Sequence, residues 1–264
     1  MQRGEEAWAE AMIGAHLGLR VVEHDDGSAS GMYDLTIFLP GGAYAAAEVT
    51  SCADPESIET WNLMNGDDDK WLFPELRGGW LVTVNPSARV KTLRKDLPKF
   101  LLQLERAEIT ETRSPRTPEW VQSTCRSLGV CTAYQGGTDR PGSVYLTIEL
   151  SPERSGGFVP PDGDSVARWI GGFLREPQQQ DVADKLQRSG YDQRHAFVFV
   201  PGFTAAPWPI PYLLTSERPP VPNMPPDLPP AITHVWVVST WTTATGLYWS
   251  PDTGWGHFSK DPRP

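Results

Sequence analysis

The chain has 264 residues, with 33 Asp and Glu against 23 Lys and Arg, a formal net charge of -10 and 39% hydrophobic residues. That balance excludes a uniformly basic nucleic-acid coat and a disordered chain, and it leaves enough apolar material for a buried core. The length suits one large or two small domains, and 26 prolines and 11 tryptophans fit neither a helical bundle nor a repeat array.

Residues 4–17 read as a helix, because Trp8, Met12 and Ala15 or His16 recur at helical spacing and acids occupy the first turn. Gly18 ends it, residues 19–23 read as a short strand, and HDDGSASG (24–31) reads as a turn. Residues 32–39 alternate as a strand, with Tyr33, Leu35, Ile37 and Leu39 on one face and Asp34, Thr36 and Phe38 on the other. PGG (40–42) is a hairpin loop, and 43–51 is the returning strand, with Ala45, Ala47 and Val49 opposed to Tyr44, Ala46, Glu48 and Thr50. A loop or short helix follows at 52–78, then a buried strand at 78–84.

Residues 86–108 form a long amphipathic helix with Leu93, Leu97, Phe100, Leu101 and Leu104 on its apolar face. Charge is uneven here: residues 85–116 carry 8 basic and 4 acidic side chains, whereas residues 1–84 carry 4 and 15. Arg89, Lys91, Arg94, Lys95 and Lys99 can line one helix side, either as a solvated face or as a strip that neutralises phosphates. Further helices are expected at 118–128, 162–175 and 179–189, and strands at 130–135, 143–150 and 195–200. Residues 201–230 hold 11 of the 26 prolines and read as an extended loop covering the sheet. Residues 233–240 and 246–250 read as a closing hairpin.

One constellation carries chemistry. With three residues in the PGG loop, paired positions place Asp34 directly opposite Glu48, two like charges with Cβ atoms about 5 Å apart. With a two-residue loop the pair becomes diagonal and stays within metal-bridging reach. Such a pair calls for a proton or a cation. Two carboxylates, the Val49 carbonyl and water make an oxygen-only set suited to Mg²⁺ or Mn²⁺, and a metal so held activates water and polarises a phosphodiester.

The segment MYDLTIFLPGGAYAAAEVTS, with the helices before and after it, resembles the PD-(D/E)XK, or restriction-endonuclease-like, superfamily over about residues 4–110. The resemblance implies an α/β fold with a mixed central sheet flanked by helices, Asp34 as the first acid and Glu48 as the second. It also implies Glu5 or Glu6 as an additional helix-borne acid, with Glu6 the choice for the metal site. Thr50 stands where the pattern has its catalytic lysine, and Tyr33 where proline is usual. In this superfamily a neighbouring element can supply the lysine; Lys70, Lys91 and Lys95 are the candidates, with Lys70 nearest in sequence.

Other motifs point less far. HDDG (His24, Asp25, Asp26) reads as a turn, and Asp192, Arg194 and His195 precede a core strand. Trp236, Trp241, Trp249 and Trp255 can stack bases or pack a core. No GxSxG, Walker, GxGxxG or HExxH pattern occurs. Cys52, Cys125 and Cys131 are an odd number without CxxC spacing, against a disulfide framework or a zinc knuckle. No apolar run reaches the roughly 18 residues of a membrane span, and Glu5, Glu6 and Glu10 stand where a signal peptide has a basic start and an apolar core. The expectation is a cytoplasmic protein without a membrane partner. It has a nuclease-like core at 1–116 and an α/β extension at 117–264. Two functions remain open: a divalent-metal-dependent nuclease, active or degenerate, with nucleic acid as partner, and a non-catalytic module whose acidic surface and proline-rich loop face a protein partner.

Overall fold

The computed structural model describes residues 3–66, 71–137, 139–149, 158–242 and 245–261. In chain order its elements are α1 (Arg3–Leu17), β1 (Arg20–Glu23), β2 (Leu35–Leu39), β3 (Gly42–Ser51), α2 (Pro55–Asn65), β4 (Trp71–Leu72), β5 (Trp80–Val84), α3 (Val90–Arg106), α4 (Glu119–Leu128), β6 (Val130–Gln135) and β7 (Ser143–Ile148). There follow α5 (Asp164–Phe173), a 3-10 turn (Pro177–Gln179), α6 (Gln180–Arg188), β8 (Gln193–Val200), α7 (Pro209–Leu214), β9 (His234–Ser239), β10 (Thr245–Ser250) and β11 (Gly254–Ser259). The chain divides into two compact units, one made of Met1–Ala53 with Gly156–Pro264 and the other of Asp54–Ser155. The boundary expected at 116 therefore falls inside the second unit.

The first unit is built on a mixed seven-stranded sheet in the order β1-β2-β3-β8-β9-β10-β11. β1, β2 and β3 are antiparallel neighbours, while β3 pairs parallel with β8 and β8 parallel with β9. Parallel central strands are covered on both faces, and so HAFVFV and HVWVVS are almost continuously apolar rather than alternating. On one face Ala9, Met12 and Ile13 of α1 pack on Leu35, Ile37, Ala45, Ala47, Phe197 and Trp236. On the other, Val166, Ile170 and Phe173 of α5 and Val182 and Leu186 of α6 cover Ala46, Ala196, Val198 and Val235. Leu213 and Leu214 of α7, within the proline-rich segment, join that second cluster. Two strands had no counterpart in the sequence reading: β4, inside the stretch read as a loop or short helix, and β11, where GWGHFS pairs despite two glycines that suppress strand propensity.

The hairpin differs from expectation in an instructive way. Its loop has two residues, since Leu39 pairs with Gly42, yet Leu35 pairs with Ala47 and Ile37 with Ala45. A bulge between these stretches leaves Tyr44 as the extra residue. It restores the register that a three-residue loop would give, so Asp34 and Glu48 are opposed after all. The bulge also turns Tyr44 onto the α1 face, with Leu35 and Ile37. Tyr33, expected beside Leu35, packs instead on the α5–α6 face, because it precedes the regular strand.

The second unit holds a four-stranded sheet in the order β4-β7-β5-β6. Strand β5 (GGWLVTV in the sequence) belongs to this sheet and not to the central one, and α3 belongs to this unit rather than following β3 in the core. Its apolar face, Leu93, Leu97, Phe100, Leu101 and Leu104, is buried as the spacing predicts. Buried Glu105 ties the unit together by accepting from the amides of Arg77 and Gly78, the Trp80 indole and the Gln135 side chain.

Candidate metal centre

Strands β2 and β3 present Asp34 and Glu48 at one end of the hairpin, both nearly inaccessible at 7% and 3% exposure. The Asp34 amide donates to Glu48 Oε2 at 3.1 Å, and the Val49 amide donates to Asp34 Oδ2 at 2.7 Å. Each carboxylate is thus fixed by the backbone next to the other. The remaining Glu48 oxygen, Oε1, accepts from Lys185 Nζ at 2.7 Å. Lys185 lies on α6 three residues after Val182, beside the buried stripe formed by Val182 and Leu186, and only 16% of its side chain is exposed. Asp181 steadies the same ammonium at 3.3 Å from one helical turn away.

The charges do not balance. Two carboxylates face one buried ammonium. Burial and repulsion from Asp34 push the Glu48 carboxyl up to about 8, against the counter-effect of Lys185. Burial likewise raises Asp34, with repulsion from Asp25 adding to it, while the Val49 amide and Lys185 pull the other way. For Lys185, burial opposes the charged form, but the bond to Glu48 and the field of both carboxylates hold the ammonium above its ordinary range. Below about pH 8 a proton on Glu48 answers the imbalance, and a cation would compete with that proton for the same oxygens. The donors are hard carboxylates from adjacent strands, which fits Mg²⁺ or Mn²⁺. Among the described residues no group of three His, Cys, Asp or Glu converges as a metal set. Two carboxylates are what this end of the hairpin offers to a cation.

Around this centre, His24 stacks on Tyr33 at 3.9 Å between ring centroids, and the His24 amide donates to the Asp34 carbonyl. The HDDG segment is a turn, as its sequence indicates: Asp25 and Asp26 accept from the Gly27 and Ser28 amides. Thr50 donates its hydroxyl to Gln179 Oε1 at 2.8 Å.

The other expected residues fall elsewhere. Lys70 lies outside the described residues. Glu6 sits in the first turn of α1, which covers the sheet face opposite Lys185. Arg89, Lys91, Arg94, Lys95 and Lys99 are all exposed, at the start of α3 or along it, in the second unit. Arg94 stacks over Trp71 at 4.9 Å, and Lys99 bonds to Asp96. Arg194 is committed to the carbonyls of Tyr191, Pro230 and Ala231, so it closes the proline-rich loop rather than meeting an anion. Trp236 is fully buried, and Trp241 is 71% exposed. The sequence reading missed Lys185. The signal available was the scarcity of lysine, since the chain has six and only Lys185 and Lys260 follow Lys99. The helix carrying Lys185 also runs directly into the most β-prone segment.

Neither family models nor curated proteins nor solved structures gave a match to this chain. No described helix is long and apolar enough to cross a membrane.

Proposed function

We propose that the protein is a divalent-metal-dependent phosphodiester hydrolase with a restriction-endonuclease-like core, in which Asp34 and Glu48 hold Mg²⁺ or Mn²⁺. The observation that carries this reading is the Lys185 ammonium, 2.7 Å from Glu48. It supplies from α6 the cation that Thr50 does not. The element order supports it too: a helix, three antiparallel strands, then helices leading to a strand parallel to the third. The Asp54–Ser155 unit is then an insertion between β3 and the crossover helices.

When bound, the metal would polarise the scissile phosphate and lower the pKa of a water. The chain's own groups do the rest. The Val49 and Asp34 amides fix both carboxylates before substrate arrives, so no reorganisation is needed. Lys185 Nζ orients the attacking water and offers its protons to the non-bridging oxygens where charge builds. Asp181 keeps that ammonium over the site. In the second unit, taken by itself, the exposed Arg89, Lys91, Arg94, Lys95 and Lys99 make a strip of the kind that neutralises backbone phosphates in a sequence-independent way.

The test combines plasmid and single-stranded cleavage in Mg²⁺ or Mn²⁺ with calorimetry of metal binding to wild type and Glu48→Ala. Metal-dependent cleavage and metal binding, both lost in the variant, are expected; a wild type that binds no metal refutes the proposal. A second reading, a non-catalytic interaction module, has one observation in its favour. Both Glu48 oxygens and Asp34 Oδ2 already have protein partners, a closed network that needs no ligand.

A further inference from the structure

The first unit has a second cavity, of about 470 Å³, among whose lining residues are His16 and Leu17 at the end of α1, Tyr44, Gln193, His234, Tyr248 and Asp252. The bulge in β3 delivers Tyr44 to it. Tyr248 is braced against Trp236 at 4.1 Å and against His16 at 5.2 Å. Asp252 stands on the three-residue turn between β10 and β11, where Ser250 pairs with Gly254. Thr253 pins that turn through its amide and hydroxyl to Ser250 Oγ, and Gly254 takes a φ of 72° to close it.

The electrostatics of this cavity have one sign. No Lys or Arg lines it, and Asp252 is the only lining residue with a full charge at neutral pH. Burial lowers both His16 and His234, the latter to about 4, so the imidazoles stay neutral. The C-terminal end of α1 contributes the negative pole of a 15-residue helix. Two tyrosines add aromatic surface of the kind that attracts cations. A single carboxylate beside two tyrosine rings suits an organic cation better than a divalent metal, which takes several oxygen ligands.

We propose that this cavity is a binding site for a small organic ammonium ion, held against Tyr44 and Tyr248 and countered by Asp252. The site is independent of the Asp34–Glu48 centre and of the hydrolase reading. Choline chloride is the probe, titrated calorimetrically into the full chain with sodium chloride at matched ionic strength; 3,3-dimethylbutan-1-ol is its neutral isostere. Choline is expected to bind with a millimolar or tighter Kd and the isostere at least about tenfold more weakly. Asp252→Asn, on an exposed turn, is expected to weaken choline binding about tenfold with an unchanged melting temperature, and Tyr248→Leu to weaken it as well. No choline binding up to about 20 mM, equal affinity for the isostere, or an unaffected Asp252→Asn variant each overturns the proposal.

Discussion

Replacing Glu48 with Gln removes a charge that the fold holds at a cost. The carboxyl moves from an ordinary 4.5 to about 8 in the folded state. A group raised in this way stabilises the fold while it is protonated, below 4.5, and loses that contribution as pH climbs through about 8. Three and a half units correspond to about 5 kcal/mol at full ionisation. The attraction of Lys185 at 2.7 Å is already contained in that figure, since it holds the carboxyl lower than burial and Asp34 alone would. The net expectation is a Glu48→Gln protein that matches wild type near pH 5 and exceeds it by up to about 5 kcal/mol near pH 8.5. Urea unfolding of both proteins at the two pH values, in chelator, measures this. Adding Mn²⁺ should then stabilise wild type and leave the variant unmoved, since ligand binding to the native state alone raises stability. A variant less stable than wild type at the higher pH, or a difference that does not vary with pH, would refute the account of the site as charge-frustrated.

Lys185→Met should separate binding from chemistry. Mn²⁺ affinity stays equal or rises, because a competing cation has gone, while cleavage falls at least about 100-fold; retained cleavage would remove Lys185 from the reaction. Acid should loosen the first unit through His234, which is 4% exposed and lowered to about 4. The unfolded chain takes up that proton below 6.5, so up to about 3 kcal/mol is lost at this residue as pH falls from 6.5 towards 4, against the opposite trend at Glu48; relative to wild type, His234→Gln should gain about that much across the same range. Glu105→Ala should destabilise the second unit by about 3–5 kcal/mol, since it strands two buried amides and two side-chain donors. Metal binding at Asp34 and Glu48 should survive under conditions where the first unit stays folded. Calorimetric unfolding with and without Mn²⁺ checks both points.

The acidic pair was legible in the sequence because a hairpin is a local object: once its register is known, which residues face each other follows. The two-residue loop was one of the two alternatives, but with a diagonal pair; the bulge at Tyr44 restores direct opposition, a correction that no period-two pattern announces. Lys185 was not legible. It lies 137 residues beyond Glu48, and helical periodicity marks it only as a solvated flank of Val182 and Leu186. Absence of the tripeptide lysine at Thr50 gave good reason to look elsewhere, yet nearness in sequence favoured Lys70 over a residue that only the parallel pairing of β3 with β8 brings close. The same pairing explains the domain error. A helix after a strand reads as its crossover, but the actual crossover is postponed until the second unit has been traversed.

That postponement shapes how the protein comes into being. As the chain emerges during synthesis, the N-terminal hairpin and the whole Asp54–Ser155 unit precede α6 and β8. Until residues 180–200 appear, β3 has an unpaired edge, Glu48 lacks its ammonium, and the two acids have only each other. The Asp34–Glu48–Lys185 constellation is thus one of the later features of the nascent chain to assemble, and long-range parallel pairing of this kind is slow to form. A truncated product ending between β3 and α6 would carry both acids and no Lys185, a buried acidic pair without its ammonium.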